Sequence, residues 1–138
     1  MKNAPIDSMR IGTTLISKAH SATVNGTAVN CTGCEYAAIA VNFGVLAGTA
    51  TGSLVIEVSP NGSSGWVALT GGSYTINVTD DDDTTKRFHV RLDKEAGQYV
   101  RVTLVYGGSS TLVLGAIVIG TNLARQTDFV ADSYAIDI

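Results

Sequence analysis

Residues Tyr99-Val-Arg-Val-Thr-Leu-Val-Tyr106 alternate without a break. Val100, Val102, Leu104 and Tyr106 fall on one side of an extended chain, and Tyr99, Arg101, Thr103 and Val105 on the other. A period of two marks a half-buried strand and argues against a helix. Just downstream, Leu112-Val-Leu-Gly-Ala-Ile-Val-Ile119 is apolar at nearly every position. It falls well short of the ~20 residues of a membrane-crossing helix, so it reads as a strand covered on both faces. Gly107-Gly108-Ser109-Ser110 between them has the length and composition of a hairpin connection. The expectation is a central β-hairpin in an antiparallel sandwich.

The rest of the chain follows the same style. Strand composition recurs at residues 11–17, 36–43, 54–58, 66–69, 74–78 and 87–92. Asn25-Gly26 predicts a two-residue hairpin between segments 19–24 and 27–30. Asn61-Gly62 and Gly71-Gly72 punctuate later turns. Residues 93–97 read as a turn holding at most one helical turn. No stretch of ten or more residues repeats apolar positions at helical spacing. Short strands with turn signals at regular spacing predict an all-β, antiparallel two-sheet sandwich, jelly-roll-like or immunoglobulin-like, of about eight strands. The expected division is an N-terminal arm at 1–10, the sandwich at 11–120, and a C-terminal arm or final strand at 121–138.

A chain of 138 residues is expected to form one domain. Charged residues make up only 15% of it and apolar residues 45%, against a usual charged share of about 25%. This leaves apolar surface for partners to cover, beyond what a large two-sheet core absorbs. The net charge is −3, and the nine Lys and Arg are scattered. Nucleic-acid binding needs a basic face, so that class is set aside. Residues 1–12 contain Asp7 and Arg10 and no apolar core of a signal peptide. The chain is therefore expected to fold in the cytoplasm, with no membrane span.

No catalytic constellation stands out. Asp80, Asp81, Asp82 and Asp83 offer the hard oxygens that Ca²⁺ takes, but four adjacent side chains cannot all reach one ion, and the EF-hand spacing is missing. They read as a solvated hairpin tip, with Ca²⁺ as the weaker alternative. Cys31-Thr-Gly-Cys34 lacks the following helix of a redox motif and a second ligand pair for zinc. It reads as two reduced thiols in a turn, a metal or an oxidised pair being the alternatives. His20 and His89 accompany no nucleophile elbow. His89 is expected at the surface, opposite the apolar side of its strand. No P-loop or dinucleotide fingerprint occurs, and no cofactor is expected. Trp66 and Tyr74 are the candidates for a glycan-binding platform, set against the commoner use of strand aromatics as core or cross-strand pairs. Tyr99, at the head of its strand, is the candidate for a corner tyrosine bonding back to a turn.

Three segments carry a resemblance. They are Gly33-Cys-Glu-Tyr-Ala-Ala-Ile-Ala-Val-Asn-Phe-Gly44, Leu54-Val-Ile-Glu-Val-Ser-Pro-Asn-Gly-Ser-Ser-Gly-Trp66 and Gly97-Gln-Tyr-Val-Arg-Val-Thr-Leu104. Together they resemble small virion structural proteins of tailed bacteriophages, over roughly residues 28–120, in strand-and-turn motifs. Pro60-Asn61 stands where such chains usually carry Asp in the second turn. The resemblance implies a non-enzymatic sandwich that decorates or cements the capsid. It would sit on the virion head surface as a homo-oligomer, with a trimer favoured, and contact the major capsid protein through terminal arms. Ile6 and Met9 in the first arm, and Phe129, Val130, Tyr134 and Ile136 in the second, are then the expected contacts. The alternatives are a carbohydrate-binding module and a tail or head–tail joining subunit.

Overall fold

The computed structural model describes residues 10–92 and 99–121 in full, and residues 133–137 as backbone. Among the described residues, ten strands and one short helix follow in chain order. They are β1 (Arg10–His20), β2 (Val24–Asn25), β3 (Val29–Asn30), β4 (Tyr36–Phe43), β5 (Ala50–Ser59), β6 (Val67–Thr75), α1 (Val78–Asp81), β7 (Thr85–Arg91), β8 (Tyr99–Gly108), β9 (Leu112–Thr121) and β10 (Ser133–Asp137). One sheet runs β1-β9-β4-β7-β10. The other runs β2-β8-β5-β6, with β3 also on β8. All ladders are antiparallel except that of β10 on β7, which is parallel.

Both β2 and β3 pair with β8 and neither pairs with the other, so they are two pieces of one interrupted strand. With that merger, the first sheet takes strands one, eight, three and six, and the second takes two, seven, four and five. This is the order of an eight-stranded jelly roll, with β10 appended. The expected sandwich is present, in its jelly-roll form.

The alternation of β8 sets its side-chain orientation. Val100, Val102 and Leu104 are buried, aligned with Val58, Ile56 and Leu54 of β5. Against them the first sheet packs Ile39, Val41 and Phe43 of β4, Phe88 and Val90 of β7, and Leu112, Leu114 and Val118 of β9. These residues form one continuous core between the sheets.

Several expectations are corrected. β8 and β9 form no hairpin: β8 lies in one sheet and β9 in the other. Their glycine-rich connection is an arch across the sandwich, turned by Gly108 at φ +83 and tied by the Tyr106 hydroxyl donating to the Ser110 carbonyl at 3.0 Å. Asn25-Gly26 is no hairpin either. Gly26 lies in the gap between β2 and β3, wedged between the backbone of Val102 and Thr14. The two short strands expected at 66–69 and 74–78 are one strand, β6, carrying a bulge. Val55 pairs with Ser73, and two residues along β5 Glu57 already pairs with Ala68. This irregularity interrupts an otherwise open sheet edge.

β9 also departs from expectation. Its inward face is buried, but Ile117 on the opposite face is 38% exposed, and Val113 and Ile119 are half-buried. The strand is central in its sheet without a second layer fully covering its back.

Candidate functional site

The acidic run is a folded corner. Asn77 caps α1, its side-chain oxygen accepting from the backbone N–H of Thr79 (3.0 Å) and Asp80 (3.3 Å). Asp81 is completely buried. Its carboxylate accepts from the Tyr74 hydroxyl and from the Asn77 N–H at 2.9 Å, and pairs with Lys86 Nζ at 3.4 Å. Asp82 instead accepts from the Leu46 N–H at 2.7 Å, and Asp80 from the Asn77 amide at 3.1 Å. Asp83 takes a positive φ of 54 and donates its N–H to the Gly44 carbonyl. The carboxylates of Asp80, Asp81 and Asp82 thus go to separate partners. Among the described residues, no three His, Cys, Asp or Glu side chains gather to hold a metal ion. The solvated hairpin tip is corrected at Asp81, whose burial rests on partners from β6 and β7. Asn77, three residues before Asp80, is a local helix-start signal that the reading of residues 74–78 as a strand passed over.

Tyr74 and Trp66 are not brought onto one face. Tyr74 pairs with Leu54 and so points into the sandwich, where its ring meets Phe88 edge-on at 5.5 Å. Trp66 lies on the outer side of the second sheet. The Arg101 guanidinium sits 4.1 Å from its ring centroid. Arg101 also donates from Nε to Glu57 at 2.7 Å, and the same Glu57 oxygen accepts from the Thr103 hydroxyl at 2.7 Å. This is a cross-strand network whose cation already occupies the tryptophan ring. Tyr99 packs its ring over Gly62 in the adjoining turn. That turn is gathered around buried Ser59, whose hydroxyl donates to the Ser64 carbonyl and accepts from the Gly62 N–H at 3.0 Å.

His20 and His89 lie on strands separated by β9 and β4. His20 is buried, with Nε2 2.9 Å from the Ile16 carbonyl and 3.2 Å from that of Leu114. Since both partners are acceptors, this nitrogen carries the hydrogen. His89 is half-buried rather than exposed.

Cys31 and Cys34 are both buried, in a turn where the Cys34 N–H donates to the Cys31 carbonyl at 2.9 Å. Gly33 at φ +87 occupies the third position of that turn, as a type II turn requires. Burial pushes the Cys31 thiol up to about 12, with the neighbouring Cys34 adding to the rise and Arg10 opposing it. Burial raises the Cys34 thiol as well, again against the pull of Arg10.

The largest feature not anticipated is the outer face of the first sheet. Paired residues share a face, which makes Ile11, Ile119 and Ala38 one rung and Thr13, Ile117 and Ala40 the next. These six residues span three strands without a charge. Ile11 is 66% exposed. Reading β9 as covered on both faces hid this patch; the excess of apolar residues over charged ones was the signal for it. Of the expected arm contacts, Ile6, Met9, Phe129 and Val130 lie outside the described residues. Tyr134 and Ile136 fall on β10, whose backbone pairs with Lys86 and Phe88 of β7.

No protein-family model matches the chain, and no curated protein matches it by sequence. Solved structures with similar shape include a Bacillus endospore appendage protein, from a family described as disulfide-linked pili. It has 16% identity and a TM-score of 0.49, with 84% of this chain and 89% of that one aligned. The SPBc2 prophage-derived protein YomS aligns at 10% identity and a TM-score of 0.49, over 80% and 94% of the two chains. A protein of infectious bursal disease virus, Gx strain, aligns at 12% identity and 0.46, over 86% of this chain and 34% of the other. The neighbours thus include prophage and viral proteins. All three scores fall below 0.5, and the fold assignment rests on the strand ladders above.

Proposed function

We propose that the chain is a non-enzymatic bacteriophage head auxiliary protein, of the decoration or cement kind. In this reading it binds the assembled shell as a homo-oligomer and stabilises it by burying apolar surface. The observation that carries the reading is the uncharged strip formed by Ile11, Ile119, Ala38, Thr13, Ile117 and Ala40. Within it Ile11 and Ile117 are exposed, Ile119 and Ala40 half-buried and Ala38 buried, and exposed apolar residues grouped on one face mark an interaction site. Two further points support it. The strand-and-turn motifs resemble those of tailed-phage virion proteins, and jelly rolls recur in viral capsid domains, a fold-level analogy. A stable contact needs about 800 Å² per partner. The strip supplies the centre of such an interface, and neighbouring polar surface the rim.

The test uses the full chain and expanded heads assembled from the major capsid protein encoded alongside it. Co-sedimentation at saturating protein, with a raised melting temperature of the heads, is the expected result. Heads that neither bind the protein nor change in stability overturn the proposal.

A further inference from the structure

We infer that Cys31 and Cys34 close into an intrachain disulfide within the folded protein when it meets an oxidant of the low-molecular-weight disulfide class. Two observations place the two sulfurs together. The first is the turn itself: its ends are tied by the Cys34 N–H to Cys31 carbonyl bond. A β-turn holds its first and fourth Cα atoms within about 7 Å, a limit that takes in the ~4.4–6.8 Å separations that disulfides use. The second is Gly120 of β9. A methyl group in place of its hydrogen would stand 3.0 Å from each sulfur, so both sulfurs occupy the space that a larger residue would fill. Both thiols are also buried, Cys31 to 0% exposure and Cys34 to 1%, which suits an uncharged disulfide and means that the oxidant meets them only when the turn opens locally.

A soft metal ion is the rival occupant of a paired thiol site. Among the described residues no third His, Cys, Asp or Glu joins the pair. The positive charge of Arg10 acts on both thiols and opposes a cation there. The geometry therefore favours the covalent bond.

The step balances without other reactants. One cysteine loses its proton and its sulfur attacks the oxidant, releasing one thiol and leaving a mixed disulfide. The second cysteine, deprotonated in turn, displaces the remaining half as a second thiol. Two protein thiols are oxidised, and one small disulfide is reduced to two thiols. The new bond spans the crossing from β3 in the second sheet to β4 in the first. It fixes the point where the chain changes layers.

The test incubates the folded full chain with oxidised glutathione at mildly alkaline pH, then reads intact mass and thermal melting. The expected product has lost the mass of two hydrogens, retains no glutathione and is not cross-linked between chains. If the fold already presents the sulfurs to each other, the oxidised form melts higher than the reduced form, by roughly 3 °C or more. The Cys34→Ser variant, treated identically, shows no such rise. A lower melting point on oxidation overturns the inference. So does a persistent glutathione adduct on the native protein, or a disulfide between chains. Thiols that stay reduced in the folded chain, while the urea-unfolded chain closes the bond, overturn it too.

Discussion

The Tyr74 hydroxyl lies 2.8 and 3.0 Å from the two carboxylate oxygens of Asp81 and donates to them from inside the sandwich wall. Asp81 is wholly buried and also holds the Asn77 N–H and the Lys86 ammonium. Removing a buried charge's partners costs far more than an average hydrogen bond. Asp81→Ala removes a buried carboxylate that takes bonds from a hydroxyl, an amide and a cation at once. The expected loss is about 3 kcal/mol or more. Tyr74→Phe removes one donor and keeps the ring against Phe88, so its loss is about 1–2 kcal/mol. Urea denaturation of both variants checks the order. An Asp81→Ala protein as stable as the parent would mean that the corner contributes nothing to the fold.

Gly26 is needed for space. A Cβ there would overlap the Val102 carbonyl and the Thr14 hydroxyl, where β1 closes against β8. The Thr14 hydroxyl already accepts from the Val102 N–H at 3.0 Å, and the Thr14 carbonyl from the Thr27 N–H at 2.7 Å. Backbone cannot yield as a flexible side chain does. Gly26→Ala is therefore expected to cost about 3 kcal/mol or more. Gly48→Ala, where nothing lies within 4 Å, stays within about 0.5 kcal/mol. Melting temperatures of the two variants give the comparison.

These two positions show what could be read in advance. The identity of the strands was legible, because alternation such as that of residues 99–106 reports a half-buried surface directly. Their pairing was not. In a jelly roll nearly every connection crosses between sheets, so sequence neighbours seldom pair. Gly107-Gly108 serves an arch as well as it serves a hairpin. β1 pairs with β9, about a hundred residues away by register, and no local pattern encodes such a match. The burial of Asp81 was hidden for the same reason, since Tyr74 and Lys86 reach it from two different strands. The Asn77 cap, by contrast, is a local signal, and the alternation of residues 74–78 masked it. The apolar strip falls between these cases: the sequence displayed its isoleucines, but only the ladder assigns them to an outer face.

Alkaline pH is expected to weaken the reduced protein through Cys31. Its thiol is raised in the folded state from 9.0 to about 12. Between those values the unfolded chain loses this proton and the folded chain keeps it, so stability falls as pH rises. Its contribution is complete below pH 9.0 and gone above the folded value. The slope approaches about 1.4 kcal/mol per pH unit inside the window. Cys31→Ser removes this titration and is expected to flatten the decline. Urea melts of parent and variant between neutral pH and the upper part of the window read the difference. Parallel declines in the two proteins would count against a buried Cys31 thiol.

The strip on the first sheet makes the sharpest functional prediction, because a matched control lies on the other sheet. Ile11 and Ile117 are exposed to 66% and 38%, so replacing either with threonine keeps the β-branched shape and removes little buried surface. Stability should change by less than about 1 kcal/mol. Burying an isoleucine at an interface is worth roughly 1.5 kcal/mol or more, and each substitution should therefore weaken head binding about tenfold. Val105 is 42% exposed on the outer side of the second sheet. Val105→Thr removes a similar apolar group from the opposite side of the molecule. Equilibrium binding of the three variants to expanded heads should show Ile11→Thr and Ile117→Thr weakened and Val105→Thr unchanged. Weakening confined to Val105→Thr would transfer the contact to the second sheet, where Trp66, Arg101 and Glu57 lie, and would remove the apolar strip from the interface.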